Sequence, residues 1–218
     1  MSVTFTNQTT TNVVGGNGGS KFQDVPGNQQ VLIGIQYDCR SFNPDADDYP
    51  TWTIIYKFLR AIQPVYAKAS SDGSVTGYTV GTQRGGHNGE FVIGGVCVGP
   101  PGYVVTGMNV RWDSTDDGVT LVKAFQLQWM KWNQGGTTST QTATWSPWHG
   151  GDGKIPQQAS YDQAMDPSPN APTPTSSTGF NAGMNVPSTG GCFVGLAGSA
   201  GDQLDALGAV WAKPTTGS

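Results

Sequence analysis

The sequence predicts an all-β protein assembled from three β units around one core. Composition is the first reason. Only 12% of the 218 residues are charged, 32 are glycine and 10% are aromatic, a balance that favours strands and tight turns over helices. The second is a recurring spacing. Gly27 precedes Tyr37, Gly102 precedes Trp112 and Gly201 precedes Trp211, ten positions each time (37 − 27, 112 − 102, 211 − 201). The third is what accompanies it. The apolar stretches VLIGI, VTGMNV and LDALGAV fall inside these intervals, and Gly15-Gly16, Gly85-Gly86 and Gly190-Gly191 stand ahead of them. Segments that recur on one plan read as units that bury a face against one another.

Taken in order, residues 1–14 are polar, rich in Thr and Asn, and read as an N-terminal arm able to add a strand. GGNGGSKF (residues 15–22) is a glycine loop and Pro26-Gly27 a turn. Residues 31–37 form a strand, and 40–50, with two prolines and clustered Asp, a loop. Residues 51–65 open as a β-rich strand; the middle would suit a short helix, but Pro64 and the β-branched start favour the strand. RGGHNGEF (84–91) is a second glycine loop, followed by strands at 92–98 and 103–112 with a Gly-Pro-Pro-Gly turn between them. DSTDDG (113–118) is a polar turn and 119–132 a long alternating strand. Residues 142–155 give a strand and another glycine-containing loop. A loop insertion rich in Pro, Ser, Thr and Asn then spans about 157–187, and a stretch that long inside a compact domain is usually functional or disordered. The last strand pair begins at Gly190.

The totals exclude several classes. The chain length suits one large domain better than two. A net charge of −4, with no basic patch, argues against nucleic acid as a partner. No run of 18 apolar residues suggests a membrane span. The start lacks a basic segment followed by an apolar one, so the expected location is cytoplasmic or reached without a cleaved leader. Cys39, Cys97 and Cys192 make neither a disulfide framework nor a zinc pattern and read as buried thiols; no metal or cofactor is expected.

The most informative stretch is GSAGDQLDALGAVW, residues 198–211. Small residues lead into Asp202-Gln203-Leu204-Asp205, and an apolar strand follows. The glycines permit a tight turn and close approach of a ligand to main-chain amides. Asp205, at the junction of loop and strand, is a carboxylate that packing can hold still. A fixed acceptor beside exposed N–H donors suits vicinal hydroxyls, which both donate and accept. That chemistry is a sugar's.

These residues resemble the jacalin-related lectins. GGNGGSKF is similar to the family's opening glycine loop, RGGHNGEF with Tyr103-Val104-Val105-Thr106-Gly107 to its middle Greek key, and residues 192–212 to its closing strand pair. Gly201-Asp202-Gln203-Leu204-Asp205 matches the family's G-x-x-x-D sugar loop. The resemblance implies a β-prism of three four-stranded Greek-key sheets with pseudo-threefold symmetry over residues 15–212, with a tail at 213–218 and one sugar site at one end. It assigns Asp205 as acceptor for two sugar hydroxyls. Asp202 and Gln203 would present backbone N–H groups to the ring oxygen and exocyclic hydroxyl. Gly18 and Gly19 would close the pocket from the other side. Asp113, Ser114, Thr115, Asp116 and Asp117 would form a secondary contact loop. Val31 and Thr106 stand four residues after Gly27 and Gly102, as Asp205 does after Gly201, so one carboxylate site is expected rather than three. The family's galactose binders use a cleaved chain with a free N-terminal glycine. Gly19 is internal here, and Asp202-Gln203 replace the aromatics that tend to follow the loop glycine in those binders, so the expected ligands are mannose- or glucose-type glycans.

Catalysis is not expected. His87 and His149 both sit in glycine loops and read as solvated, and Asp202 and Asp205 are too close in one loop for a glycosidase pair. Two other readings stay open: a β-prism targeting component of a pore-forming or insecticidal toxin, with Trp129, Trp132, Trp145 and Trp148 as an interaction surface, or a structural β-prism without ligand. A homo-oligomer or a protein partner fits either.

Overall fold

In a computed structural model, the described residues are 3–27, 29–42, 56–114, 118–151, 180–185 and 191–216. They form three sheets, each with four main strands and one two-residue strand. The first sheet has the order β1-β15-β14-β3, from β1 (Val3–Thr10), β3 (Ser20–Asp24), β14 (Cys192–Ala200) and β15 (Leu204–Thr216), and β2 (Val14–Gly15) continues along β15. The second has the order β6-β5-β4-β8, from β4 (Gln30–Phe42), β5 (Tyr56–Ala69), β6 (Val75–Val80) and β8 (Gly95–Val98), with β7 (Arg84–Gly85) on β5. The third has the order β11-β10-β9-β13, from β9 (Tyr103–Ser114), β10 (Thr120–Asn133), β11 (Thr137–Trp145) and β13 (Phe180–Asn185), with β12 (His149–Gly150) on β10. Every pairing is antiparallel.

Each sheet is built on a central hairpin: β4–β5, β9–β10 and β14–β15. Apolar residues of all three, such as Ile35, Leu59, Met108, Phe125, Phe193 and Leu196, meet in one core. Burying that shared face is what holds three sheets in one prism. Trp129 and Trp132 are buried as well. The Trp129 indole donates to the Ile33 carbonyl at 3.0 Å and that of Trp132 to the Ser70 carbonyl at 2.8 Å, so both stitch sheets together. A surface role for the tryptophan-rich stretch therefore does not extend to these two. Cys97 and Cys192 are buried and Cys39 half-buried, all as free thiols.

Four sequence expectations change. Tyr37 and Trp112 lie on the first strand of their hairpins, whereas Trp211 lies on the second strand of its own, so the ten-residue spacing does not mark equivalent positions. Beside β10, Gly150-Gly151 holds the place that Gly15-Gly16 holds beside β15 and Gly85-Gly86 beside β5; the expected pair at Gly190-Gly191 lies partly outside the described residues, which include Gly191 but not Gly190. Part of the expected 157–187 loop, Phe180–Asn185, is the strand that completes the third sheet on the free edge of β9; residues 152–179 lie outside the described set. Finally, β15 runs to Thr216 and pairs with β1 from Val3 onward, so the two chain ends complete the first sheet together. Edge pairing satisfies backbone groups whatever the local composition, so the polar arm adds the strand expected of it and the expected tail is strand as far as Thr216.

Candidate functional site

The three sheets share one local device. Where β5, β10 and β15 begin to pair with their hairpin partners, each carries one extra residue. The register shifts between Asp38↔Ala61 and Cys39↔Leu59, between Trp112↔Val122 and Arg111↔Ala124, and between Ala200↔Leu204 and Ser199↔Ala206. The residues left unpaired are Arg60, Lys123 and Asp205. A β-bulge of this kind re-aims its side chain away from the regular alternation. Beside each bulge sits a glycine at positive φ, Gly85 (81°), Gly150 (118°) and Gly15 (127°). A Cβ there would come within 2.2 to 2.5 Å of the bulged residue's carbonyl oxygen. Only glycine fits so close to the bulge.

The equivalence is written in the sequence as Leu59-Arg60-Ala61-Ile62, Val122-Lys123-Ala124-Phe125 and Leu204-Asp205-Ala206-Leu207. The counterparts of Asp205 are therefore Arg60 and Lys123, and not Val31 and Thr106. A charged residue followed by alanine inside an apolar frame was the signal that could have identified them.

Asp205 is 7% exposed. Its Oδ2 accepts the Gly201 N–H at 3.1 Å, and that same N–H also reaches the Gln203 carbonyl at 3.0 Å, which fixes the turn after β14. No cation pairs with this carboxylate among the described residues. Burial pushes its pKa above the ordinary aspartate value, and the Gly201 N–H opposes that rise. The 15–19 turn lies against it. A Cβ on Gly18 would stand 2.2 Å from Oδ1, and one on Gly19, at φ 67°, would stand 2.5 Å from Oδ2 and 2.4 Å from the Ala200 carbonyl carbon. A Cβ on Gly201 would be 3.7 Å from the Gly19 Cα. The 15–19 and 201–205 turns, from opposite ends of the chain, thus flank one carboxylate.

Asp202 and Gly201 are exposed and Gln203 half-buried, whereas the Leu204 side chain is fully buried in the core, so Leu204 meets a ligand only through its main chain. The Asp202 Oδ2 lies 2.8 Å from the Nδ1 of His87, in the second glycine loop. This contact was not expected from the sequence. In the third loop, His149 is half-buried rather than solvated. It stacks on Phe125 with 5.6 Å between ring centroids and lies 3.3 Å from the Tyr37 hydroxyl, and burial lowers its pKa. Of the secondary contact loop, Asp113 is taken up by the Lys123 ammonium at 3.3 Å and Ser114 by the Thr120 hydroxyl at 2.9 Å; Thr115, Asp116 and Asp117 lie outside the described residues. The start of β10, which follows that loop, adjoins the first turn, because a Cβ on Gly16 would meet the Thr120 carbonyl oxygen at 2.1 Å. No cluster among the described residues has the makings of a metal site.

This is the β-prism fold of the jacalin-related lectins. Solved structures similar to it include Calystegia sepium agglutinin (15% identity, TM-score 0.52, 95% of this chain and 97% of that one). Another is frutapin, a lectin from Artocarpus incisa (13%, TM-score 0.52, 95% and 98%). A third is Calsepa lectin in complex with a biantennary N-glycan (17%, TM-score 0.50, 95% and 97%). At these identities the likeness is one of fold. No family model matches the sequence, and no curated protein does.

Proposed function

We propose that this protein is a non-catalytic carbohydrate-binding protein with one sugar site per chain, centred on Asp205 and flanked by Gly18, Gly19, Gly201, Asp202 and Gln203. The observation that carries the reading is a buried carboxylate, without a cation beside it among the described residues, held between two glycine-rich turns of a β-prism. An acceptor fixed in advance loses little entropy on binding, and side-chain-free walls let a pyranose ring approach the main chain. One similar fold, Calsepa lectin, has been solved with a bound N-glycan, in keeping with a glycan partner for this fold. Within that reading, mannose- and glucose-type ligands are favoured, because Gly19 lies inside the chain rather than at a new terminus.

A glycan array run on the wild type and on Asp205→Ala tests this. Binding to mannose- or glucose-terminated glycans that disappears in the variant is the expected result. Galactose binding would overturn the preference while keeping the class. If a folded wild type bound no glycan, the reading would fail.

A further inference from the structure

A groove of about 770 Å³ runs along the first sheet on the other side of the 15–19 turn. Ser199 and Ala206, paired across β14 and β15, form its floor. Lys21 and Gln23 line one wall, and Thr10 and Val13 the other. The 15–19 turn, which also flanks Asp205, closes one end of it, but none of residues 201–205 lines it, so the groove shares that turn with the Asp205 site and differs from it in its remaining walls.

Ser199 pairs in register with Lys21, and Phe22 between Lys21 and Gln23 joins the core, so Ser199 shares the outward face of Lys21. It is 6% exposed, and its hydroxyl makes no hydrogen bond among the described residues. The hydroxyl is open to the groove rather than sealed in the interior, and the side chain lines the groove floor. The electrostatics are also unlike the rest of the molecule. The chain carries a net charge of −4, yet no carboxylate lines the groove, and the Lys21 ammonium forms no ion pair among the described residues. The Thr10 hydroxyl donates to the Gln23 amide oxygen at 3.4 Å and ties the walls together at one end. Val13, 45% exposed, adds an apolar surface for the C–H face of a ring. The volume lies in the range that encloses small ligands, roughly 300–1,000 Å³.

We propose that this groove is a second binding site, for an anionic saccharide residue bearing a carboxylate or a sulfate. Lys21 meets the charge, the Ser199 hydroxyl and Gln23 amide meet ring hydroxyls, and Val13 packs on the ring. The site does not depend on Asp205.

The test is an NMR titration of isotope-labelled, full-length Asp205→Ala protein with methyl glucuronide, glucose 6-sulfate and neutral methyl glucoside. An anionic probe is expected to move the amides of Lys21, Gln23 and Ser199 and to bind roughly tenfold or more tightly than the neutral one. The stronger of the two anionic probes identifies the charged group. Lys21→Gln should reduce the affinity for that probe to that of the glucoside, and Ser199→Val, which removes the floor hydroxyl, should weaken all three. Shifts confined to residues 201–203, equal binding of charged and neutral probes, or unchanged affinity in Lys21→Gln would overturn the proposal. So would shifts at the same amides that grow with protein concentration in the absence of sugar, since the groove would then cover a second copy of the chain. Wild-type protein titrated with methyl mannoside reports on the Asp205 site separately, so either site can fail without the other.

Discussion

The bulge of the first sheet and that of the second sheet are the same backbone device carrying opposite charges. In the second sheet Arg60 is 7% exposed and compensated from within: Nη1 lies 3.8 Å from Asp38, and Nη2 lies 3.3 Å from Glu90 and 3.4 Å from the His87 carbonyl. Asp38 occupies the register position that Ser199 occupies in the first sheet, since each is paired with the alanine after the bulge. In the third sheet Lys123 is neutralised by Asp113 at 3.3 Å. Only Asp205, of the three, has no charged partner among the described residues. The lesson is that the fold offers three equivalent bulges and the side chains decide which is paired from within. Two are paired in internal ion pairs; the third, among the described residues, carries a carboxylate with no charged partner.

The largest effect that would break this comparison is on stability. Arg60→Ala should destabilise the fold by about 3–5 kcal/mol, because it removes one charge of a buried ion pair whose other member, Asp38, is 2% exposed. Urea denaturation measures it. The same experiment on Asp205→Ala should show little loss, since no charged partner is stranded. If the two variants unfolded alike, the distinction between a paired and an unpaired bulge residue would be lost.

Next comes binding. Asp205→Ala should weaken a mannose- or glucose-type ligand by about 1.5–3 kcal/mol, the value of charge-assisted hydrogen bonds, which calorimetry would read as disappearance of a weak signal. Gly18→Ala should act almost as strongly with the carboxylate still in place, because its Cβ would meet Oδ1 at 2.2 Å in the present geometry. Normal affinity in that variant would show that the 15–19 turn does not frame the site.

Acidification separates binding from folding. The folded Asp205 has a raised pKa, so the free protein takes up this proton at a higher pH than the unfolded chain does. Asp205 therefore adds stability as pH falls through its folded pKa, and the gain is complete below the unfolded pKa. Sugar binding runs the other way, because it needs the ionised acceptor. Affinity should fall with a midpoint above the ordinary aspartate range, before the protein unfolds. A midpoint at or below that range would mean that burial does not govern this carboxylate.

The smallest effect should come from His87. Its pair with Asp202 joins two exposed side chains, 58% and 69% accessible, and such pairs contribute about 0.2–1 kcal/mol. His87→Ala should lower affinity no more than a fewfold, and the difference should shrink in high salt. A large, salt-independent loss would make the second sheet's loop an integral wall of the site.

Much of this was legible in the residues. Low charge, abundant glycine and alternating apolar strands define an all-β core because strands that bury one face need that alternation. The G-x-x-x-D turn could be read because its chemistry is local: a small-residue turn, then a carboxylate, then an apolar strand. The repeat was recognised in the wrong register. Glycine-to-aromatic spacing follows chain order, whereas the first sheet joins a C-terminal hairpin to N-terminal strands. The structural repeat therefore wraps through both chain ends.

By itself, then, the sequence determined the strand content, the glycine turns and the presence of one uncommon carboxylate, since each follows from local propensity and hydrogen-bonding capacity. The tertiary structure alone decided that Arg60 and Lys123 are the counterparts of Asp205 and that His87 reaches Asp202, and it puts Gly18 and Gly19, which the resemblance set across the pocket, directly against the carboxylate. Those contacts join residues distant in the chain. They depend on where one extra residue interrupts each strand pairing, and that register is set by how three sheets pack on a common core rather than by any neighbour in sequence.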